Sequence, residues 1–80
     1  MARMYKIEWK APDDFDPGPL LGRLPSPIAP GPREIYNYSV DADGFHFIDR
    51  EVDPRIAGQA FKEFVDEALR HSHRVSIEAR

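Results

Sequence analysis

Residues 53–73 read DPRIAGQAFKEFVDEALRHSH, and this stretch is the clearest structural element of the chain. Its apolar residues recur at the i, i+3, i+4, i+7 spacing that places side chains on one side of a helix. They are Ala57, Ala60, Phe61, Phe64, Val65, Ala68 and Leu69. The other side carries Lys62, Glu63, Asp66, Glu67 and Arg70. Asp53 is a favourable N-cap and Pro54 suits the first helical position, so the sequence predicts a helix over 54–71.

The residues before this helix, 34–51, are typical of a β-hairpin. The alternating side chains of its first strand are Tyr36, Tyr38 and Val40. Asp-Gly at 43–44 is a strong turn signal, because glycine adopts positive φ without steric cost. A loop with an even number of residues places Phe45 and Phe47 beside the tyrosines, whereas a three-residue loop with a bulge at Gly44 places His46 and Ile48 there. We favour the even loop, because it gathers the large side chains on one surface.

Two further segments alternate between apolar and polar residues, at 4–10 (MYKIEWK) and 74–79 (RVSIEA), and each indicates a half-buried strand. The order is therefore strand, long loop, hairpin, helix, strand. This order predicts an α+β fold, with a small four-stranded mixed sheet and one helix packed on one face. The pattern leaves the strand order open, since the N-terminal strand could lie between or outside the two strands that the helix connects.

Length and composition narrow the class of protein. A chain of 80 residues predicts one domain, 1–80, with a limited core. The formal net charge of −3 disfavours a nucleic-acid partner, and no apolar run reaches the length of a signal peptide or a membrane span. The absence of cysteine is typical of a reducing compartment, so we expect a cytoplasmic protein without a membrane partner.

The loop over residues 11–33 is unusual, because six of the eight prolines of the chain fall within 16–32. Irregular loops this long are uncommon in compact domains unless they are functional or disordered. Three interpretations stay open: a lid packed over a sheet face or helix edge, an exposed docking segment, or a spacer. The apolar side chains that would contact a partner are Phe15, Leu20, Leu21, Leu24 and Ile28.

The sequence shows no motif typical of a catalytic, cofactor or metal site. His71 and His73 are two residues apart, which does not suit metal binding from one side of a helix. The DADG stretch at 41–44 lacks the later acidic residues of a calcium-binding loop. We therefore expect no metal ion and no cofactor, and the sequence favours a protein that is not an enzyme.

Two functions fit these features. The first is a small non-catalytic protein-interaction module, of the accessory-subunit or inhibitor type, that uses the proline-rich loop or a sheet edge. The alternative is a homodimer with a small-molecule-binding or weakly enzymatic cleft on the open sheet face, lined by His46 with Tyr36 or Tyr38. Pairing of the last strand, RVSIEAR at 74–80, with a second copy is a further route to a dimer.

Overall fold

The computed structural model describes residues 2–80. In chain order, these residues form β1 (Arg3–Glu8), α1 (Gly18–Leu21), β2 (Ile28–Ala29), β3 (Arg33–Glu34), β4 (Tyr36–Asp41), β5 (Gly44–Asp49), α2 (Pro54–His71) and β6 (Ser76–Ala79). The long helix α2 covers the predicted range 54–71. The first and last strands end or begin two residues short of the predicted bounds, at Glu8 and Ser76.

Four strands form one sheet in the spatial order β4-β5-β1-β6, and every neighbouring pair is antiparallel. The predicted α+β class, with a four-stranded sheet and one long helix against it, is confirmed. The sheet is antiparallel rather than mixed, because β1 lies between β5 and β6 and separates the two strands that run parallel. Strands β2 and β3 form a second, two-stranded sheet.

The hairpin of β4 and β5 has the even register. Tyr38 lies opposite Phe47 and Val40 opposite Phe45, and a two-residue loop joins Asp41 to Gly44. Gly44 has a φ of +135°, and a β-carbon there would overlap the carbonyl oxygen of Ile7 in the neighbouring strand. Glycine is therefore required at this position by both the backbone conformation and the close approach of β1.

The hydrophobic core lies between α2 and one side of the sheet. The ring centroid of Phe64 is 5.0 Å from that of Phe45 and 5.7 Å from that of Phe47, and Phe61 is 5.2 Å from Tyr5. The largest fully buried side chains are those of Tyr36, Phe45, Phe47, Phe64, Ile7, Leu20 and Ile35. Burial of side chains of this kind contributes about 1.5–3 kcal/mol each to the hydrophobic stabilisation.

Helix α2 begins as the sequence predicts, but the burial of two of its side chains differs from the prediction. The Asp53 carboxylate accepts hydrogen bonds from the backbone N–H groups of Arg55 and Ile56, at 3.1 and 3.2 Å. Glu67, expected on the solvent side, is buried, and Leu69, expected in the core, is half exposed. The cause in both cases is tertiary: a segment from elsewhere in the chain covers the side of α2 that carries Glu67, and Leu69 lies on the side that it leaves open.

That covering segment is the proline-rich one, which packs on the flank of α2 near β4. Leu20 of α1 is fully buried in the core, and the Tyr36 hydroxyl donates a hydrogen bond to the carbonyl oxygen of Pro25. The Arg23 guanidinium donates to Glu67 Oε1 at 2.6 Å and to Glu63 Oε1 at 3.3 Å. These contacts favour the lid among the three interpretations, with the lid lying on the helix side of the sheet.

Candidate functional site

The five apolar residues predicted to contact a partner divide into two groups. Leu20 is a member of the core, and Phe15 and Leu24 pack against it. These three side chains are held by the chain's own interior, so Leu20 in particular offers no surface to a partner. Leu21 and Ile28 are 37% and 48% exposed and are the two of the set that face solvent.

The residues proposed to line a cleft in a homodimer, Tyr36, Tyr38 and His46, do not share one face of the sheet in the single chain. Tyr38 packs against Phe64 of α2, with ring centroids 5.3 Å apart, and Tyr36 stacks on Phe47 on the same side of the sheet. His46, between Phe45 and Phe47 in β5, points to the opposite face, because side chains alternate along a strand. Within one chain, therefore, the tyrosines and His46 lie on opposite faces of the sheet.

The face of the sheet opposite α2 carries a cluster of charged side chains that pair with one another. The Lys6 side chain is only 3% exposed, and its ammonium donates to Asp43 Oδ1 at 3.0 Å and lies 3.4 Å from His46 Nε2. His46 Nε2 is in turn 2.9 Å from Asp41 Oδ2. The hydrogen bond and charge of Lys6 hold the pKa of Asp43 below its ordinary value. This arrangement neutralises the ammonium of Lys6 and explains why it tolerates burial.

A second cluster on α2 is centred on the Glu67 carboxylate. It accepts from Arg23 at 2.6 Å, from Arg70 at 2.7 Å and lies 2.9 Å from His71 Nε2. Burial alone would raise the pKa of Glu67, but the hydrogen bonds from His71, Arg23 and Arg70 outweigh it and leave the pKa below its ordinary value. The carboxylate is therefore fully paired, and its bond from Arg23 joins the proline-rich segment to the helix. In residues 2–80, no three histidine, aspartate or glutamate side chains are arranged to hold a metal ion.

An open groove of about 590 Å³ lies at the end of the sheet. Its lining residues are Glu8, Trp9, Lys10, Ala42, Asp43, Arg74 and Ser76. The Trp9 ring is packed among Phe15, Phe45 and His71, and within residues 2–80 its Nε1 is the one buried side-chain polar atom without a hydrogen-bond partner. The groove is lined by charged side chains of both signs. Its lining residues include no nucleophile paired with a base.

The outer edge of β6 is the least covered part of the fold. β6 pairs with β1 on one side, and no segment of residues 2–80 pairs with its other side. Ile77 is 49% exposed although it lies opposite the fully buried Ile7. An apolar cleft of about 280 Å³ runs between α2 and this strand, lined by Tyr5, Phe47, Asp49, Pro54, Ala57, Gly58, Phe61 and Ile77.

At the opposite edge of the sheet, another segment of the chain lies beside the start of β4. There the proline-rich segment lies beside the start of β4, where the backbone N–H of Ile35 donates to the carbonyl oxygen of Pro27 at 2.7 Å. One helix is about 10 Å wide, and a sheet of four strands at about 4.8 Å spacing is wider than that. Part of the sheet face beside α2 therefore needs a cover that the helix cannot supply. The proline-rich segment covers the flank of α2 at the start of β4, although no strand of residues 2–80 pairs with the outer edge of β4 itself, and the β6 flank is left open.

The sequence named a sheet edge and pairing of the last strand among the routes to a partner, but it did not indicate that Ile77 would be half exposed. The signal that was available is the mismatch between four predicted strands and one predicted helix. The sequence could not show which flank the proline-rich segment would cover.

No helix of the described residues has the length and apolarity needed to cross a membrane. Comparison of the chain with protein-family models, with curated proteins and with solved structures finds no match. Any functional assignment must therefore come from the chain's own residues.

Proposed function

We propose that this protein is a small non-catalytic interaction module that binds another polypeptide by extending its sheet at β6. The observation that carries the proposal is the unpaired edge of β6 beside an apolar cleft, with Ile77 half exposed. An exposed strand edge offers a row of backbone N–H and C=O groups that another strand can satisfy. The apolar cleft next to it would supply the side-chain contacts that make such pairing specific.

The charge clusters support a binding role rather than a catalytic one. Lys6 is paired with Asp43, and Glu67 is paired with Arg23 and Arg70, so these groups already serve the fold. A catalytic acid or base is instead expected to face a pocket where it can reach a substrate. The proposed partner is a protein, not a nucleic acid, and the cysteine-free composition supports a cytoplasmic location.

In this function the proline-rich segment has a structural role. Its contacts with α2 hold the β4 flank closed, which leaves the β6 flank as the accessible apolar edge. Leu21 and Ile28 remain exposed on that segment and form a separate, smaller surface.

Replacing Ile77 with lysine tests the proposal. A lysine on an edge strand opposes the addition of another strand, and Ile28→Lys is a matched control because Ile28 is equally exposed but lies in the two-stranded sheet. The immobilised wild-type chain and both variants are incubated with extract of the source cells, and bound polypeptides are identified by mass spectrometry. We expect the wild type and Ile28→Lys to retain a common polypeptide. The amount of it bound to Ile77→Lys should be at least tenfold lower.

Melting temperatures of the three proteins show whether each variant is folded before the comparison is made. Equal retention by all three folded proteins would refute binding at the β6 edge. Selective loss in Ile28→Lys would also refute it and would assign binding to the proline-rich segment.

A further inference from the structure

We infer that the strand accepted by β6 is β6 of a second copy of this chain, running antiparallel with Ser76 opposite the partner's Ser76. The inference rests on the proposed function and names its partner. The residues that carry it are RVSIE at 74–78, which are complementary to themselves when read in the opposite direction. In this pairing Arg74 lies opposite the partner's Glu78, Val75 lies opposite the partner's Ile77, and the two Ser76 residues lie opposite each other.

The backbone of β6 is oriented for this register. The N–H of Arg80 donates to the carbonyl oxygen of Met4 in β1 at 2.7 Å. Because backbone groups alternate in direction along an antiparallel strand, the even-numbered residues of β6 face β1 and the N–H and C=O groups of Ile77 and Ala79 face outward. Extending the strand by one residue on pairing would turn those of Val75 outward as well. With the two serines opposed, Val75 exchanges hydrogen bonds with the partner's Ile77, and the two-fold axis repeats the exchange.

The side chains are matched on both faces of the joined sheet. On the side of α2, Val75 lies opposite the partner's Ile77, so that two half-buried apolar pairs cover each other. On the other face, Arg74 lies opposite the partner's Glu78, and this pair also occurs twice. Opposed apolar pairs and opposed charges of unlike sign both stabilise an antiparallel pairing. Glu78 contacts Arg80 of its own chain at 3.3 Å, but both side chains are more than half exposed and are free to reorient.

Charge also disfavours the registers shifted toward the C-terminus. Centring the pairing on Ile77 places Arg74 opposite the partner's Arg80, and centring it on Glu78 opposes two glutamates. Like charges directly opposite one another destabilise strand pairing. The register centred on Ser76 is the one that keeps apolar residues together on the helix side and unlike charges together on the other.

The resulting dimer would cover the surface that the single chain leaves open. Residues directly opposite each other share a face of the sheet, so both copies of α2 lie on the same side of a continuous sheet that joins four strands from each chain. Leu69 is 50% exposed and follows Phe61 by two steps of four residues, which places it on the flank of α2 toward β6. Interfaces this small are weak, so we expect dissociation in the micromolar range or above.

Charge reversal at two positions tests the inference. Arg74→Glu and Glu78→Arg each replace both attractive charge pairs of the dimer with repulsive ones. When the two variants are mixed, each chain meets a partner of opposite charge at both pairs. Sedimentation velocity over a concentration series reaching several hundred micromolar measures the dissociation constant of each sample. Arg80→Glu is the control, because Arg80 lies outside the complementary stretch.

We expect the wild type to dimerise, each single variant to dimerise about tenfold more weakly, and the equimolar mixture to return to within about threefold of the wild type. Arg80→Glu is expected to match the wild type. Failure of the mixture to recover, or loss of the dimer in Arg80→Glu, would overturn the register.

A wild-type chain that stays monomeric throughout the series would overturn the self-pairing itself. The proposed function would then still stand if Ile77→Lys loses a retained polypeptide in the capture experiment, so the two failures are distinguishable. If either charge variant is unfolded, hydrogen exchange of the Ile77 amide decides the question. Protection that rises with the concentration of the wild-type chain supports the dimer, and protection that is independent of concentration overturns it.

Discussion

At the scale of single residues, Glu67 shows how a charged side chain comes to be buried in a small core. Only 8% of its side chain is exposed, and its two carboxylate oxygens contact Arg23, Arg70 and His71. An unpaired carboxylate at this depth would be costly, so each of these contacts offsets part of the desolvation. Because Arg23 comes from the proline-rich segment, the carboxylate also joins two parts of the chain that are 44 positions apart in sequence.

The depressed pKa of Glu67 predicts how stability depends on pH. Its folded pKa lies below that of the unfolded chain, so its contribution is complete above about pH 4.3 and is lost as the pH falls through the folded value. Glu67→Gln should lower the free energy of unfolding by about 1–3 kcal/mol at pH 7, since a neutral amide loses the charge-assisted hydrogen bonds from Arg23 and Arg70. The variant should also lose less stability than the wild type between pH 6 and pH 3.

Urea unfolding at several pH values measures both effects. Asp66→Asn is a suitable control, because it removes an acidic group of α2 that is paired with Lys62 at a more exposed position. Identical pH dependence in the wild type and in Glu67→Gln would show that Glu67 does not carry this part of the acid sensitivity.

At the scale of elements, α2 presents three different flanks to its surroundings. Ala57, Ala60, Phe64 and Ala68 face the sheet and are buried. The flank with Glu67 lies under the proline-rich segment, and the flank with Gly58 and Phe61 borders the open cleft near β6. The small alanines let the helix approach the sheet, and the aromatic residues fill the space at its sides.

Gly58 is an exception within this helix, because no packing requires it. A β-carbon at this position would meet no atom within 4 Å, and its φ is not positive. Gly58→Ala should therefore raise the free energy of unfolding by about 0.5–1 kcal/mol, since alanine loses less backbone entropy on folding. Gly44→Ala should have the opposite sign, because the added carbon would overlap Ile7 in β1.

Chemical denaturation of the two alanine variants beside the wild type checks this pair of predictions. A loss of stability in Gly58→Ala would mean that the cleft next to β6 needs the space that glycine leaves.

At the scale of the whole molecule, the proline-rich segment acts as a partial second layer beside α2. It closes one flank of the core through Leu20 and Leu24 and through the hydrogen bond from Tyr36 to Pro25. Prolines suit this task, since they restrict the unfolded chain and need no backbone N–H partner. The other flank stays open, which is why the proposed binding surface lies at β6.

Adjacent leucines in α1 give a direct test of this role. Leu20→Ala should lower the free energy of unfolding by about 2–4 kcal/mol because Leu20 is fully buried, whereas Leu21→Ala should change it by less than about 0.5 kcal/mol. Both variants keep the prolines and the length of the segment, and denaturant unfolding measures the difference. Similar small effects of both substitutions would show that the segment contributes little to the core.

The elements that depend on neighbouring residues could be predicted from the sequence. The bounds of α2 follow from its apolar spacing and from the Asp53 cap, and the even register of the hairpin follows from gathering its large side chains on one surface beside the Asp-Gly turn. Both depend on interactions between residues a few positions apart, which the order of amino acids states directly.

The sequence by itself thus determined the class of the fold, the long helix and the hairpin. The tertiary structure alone decided that β1 lies between β5 and β6, that Glu67 is buried, and that Ile77 is left at an open edge. Each of these depends on segments distant in sequence competing for the same flank of one helix. That competition is settled by the total area that the packed molecule buries, which no single stretch of the chain contains.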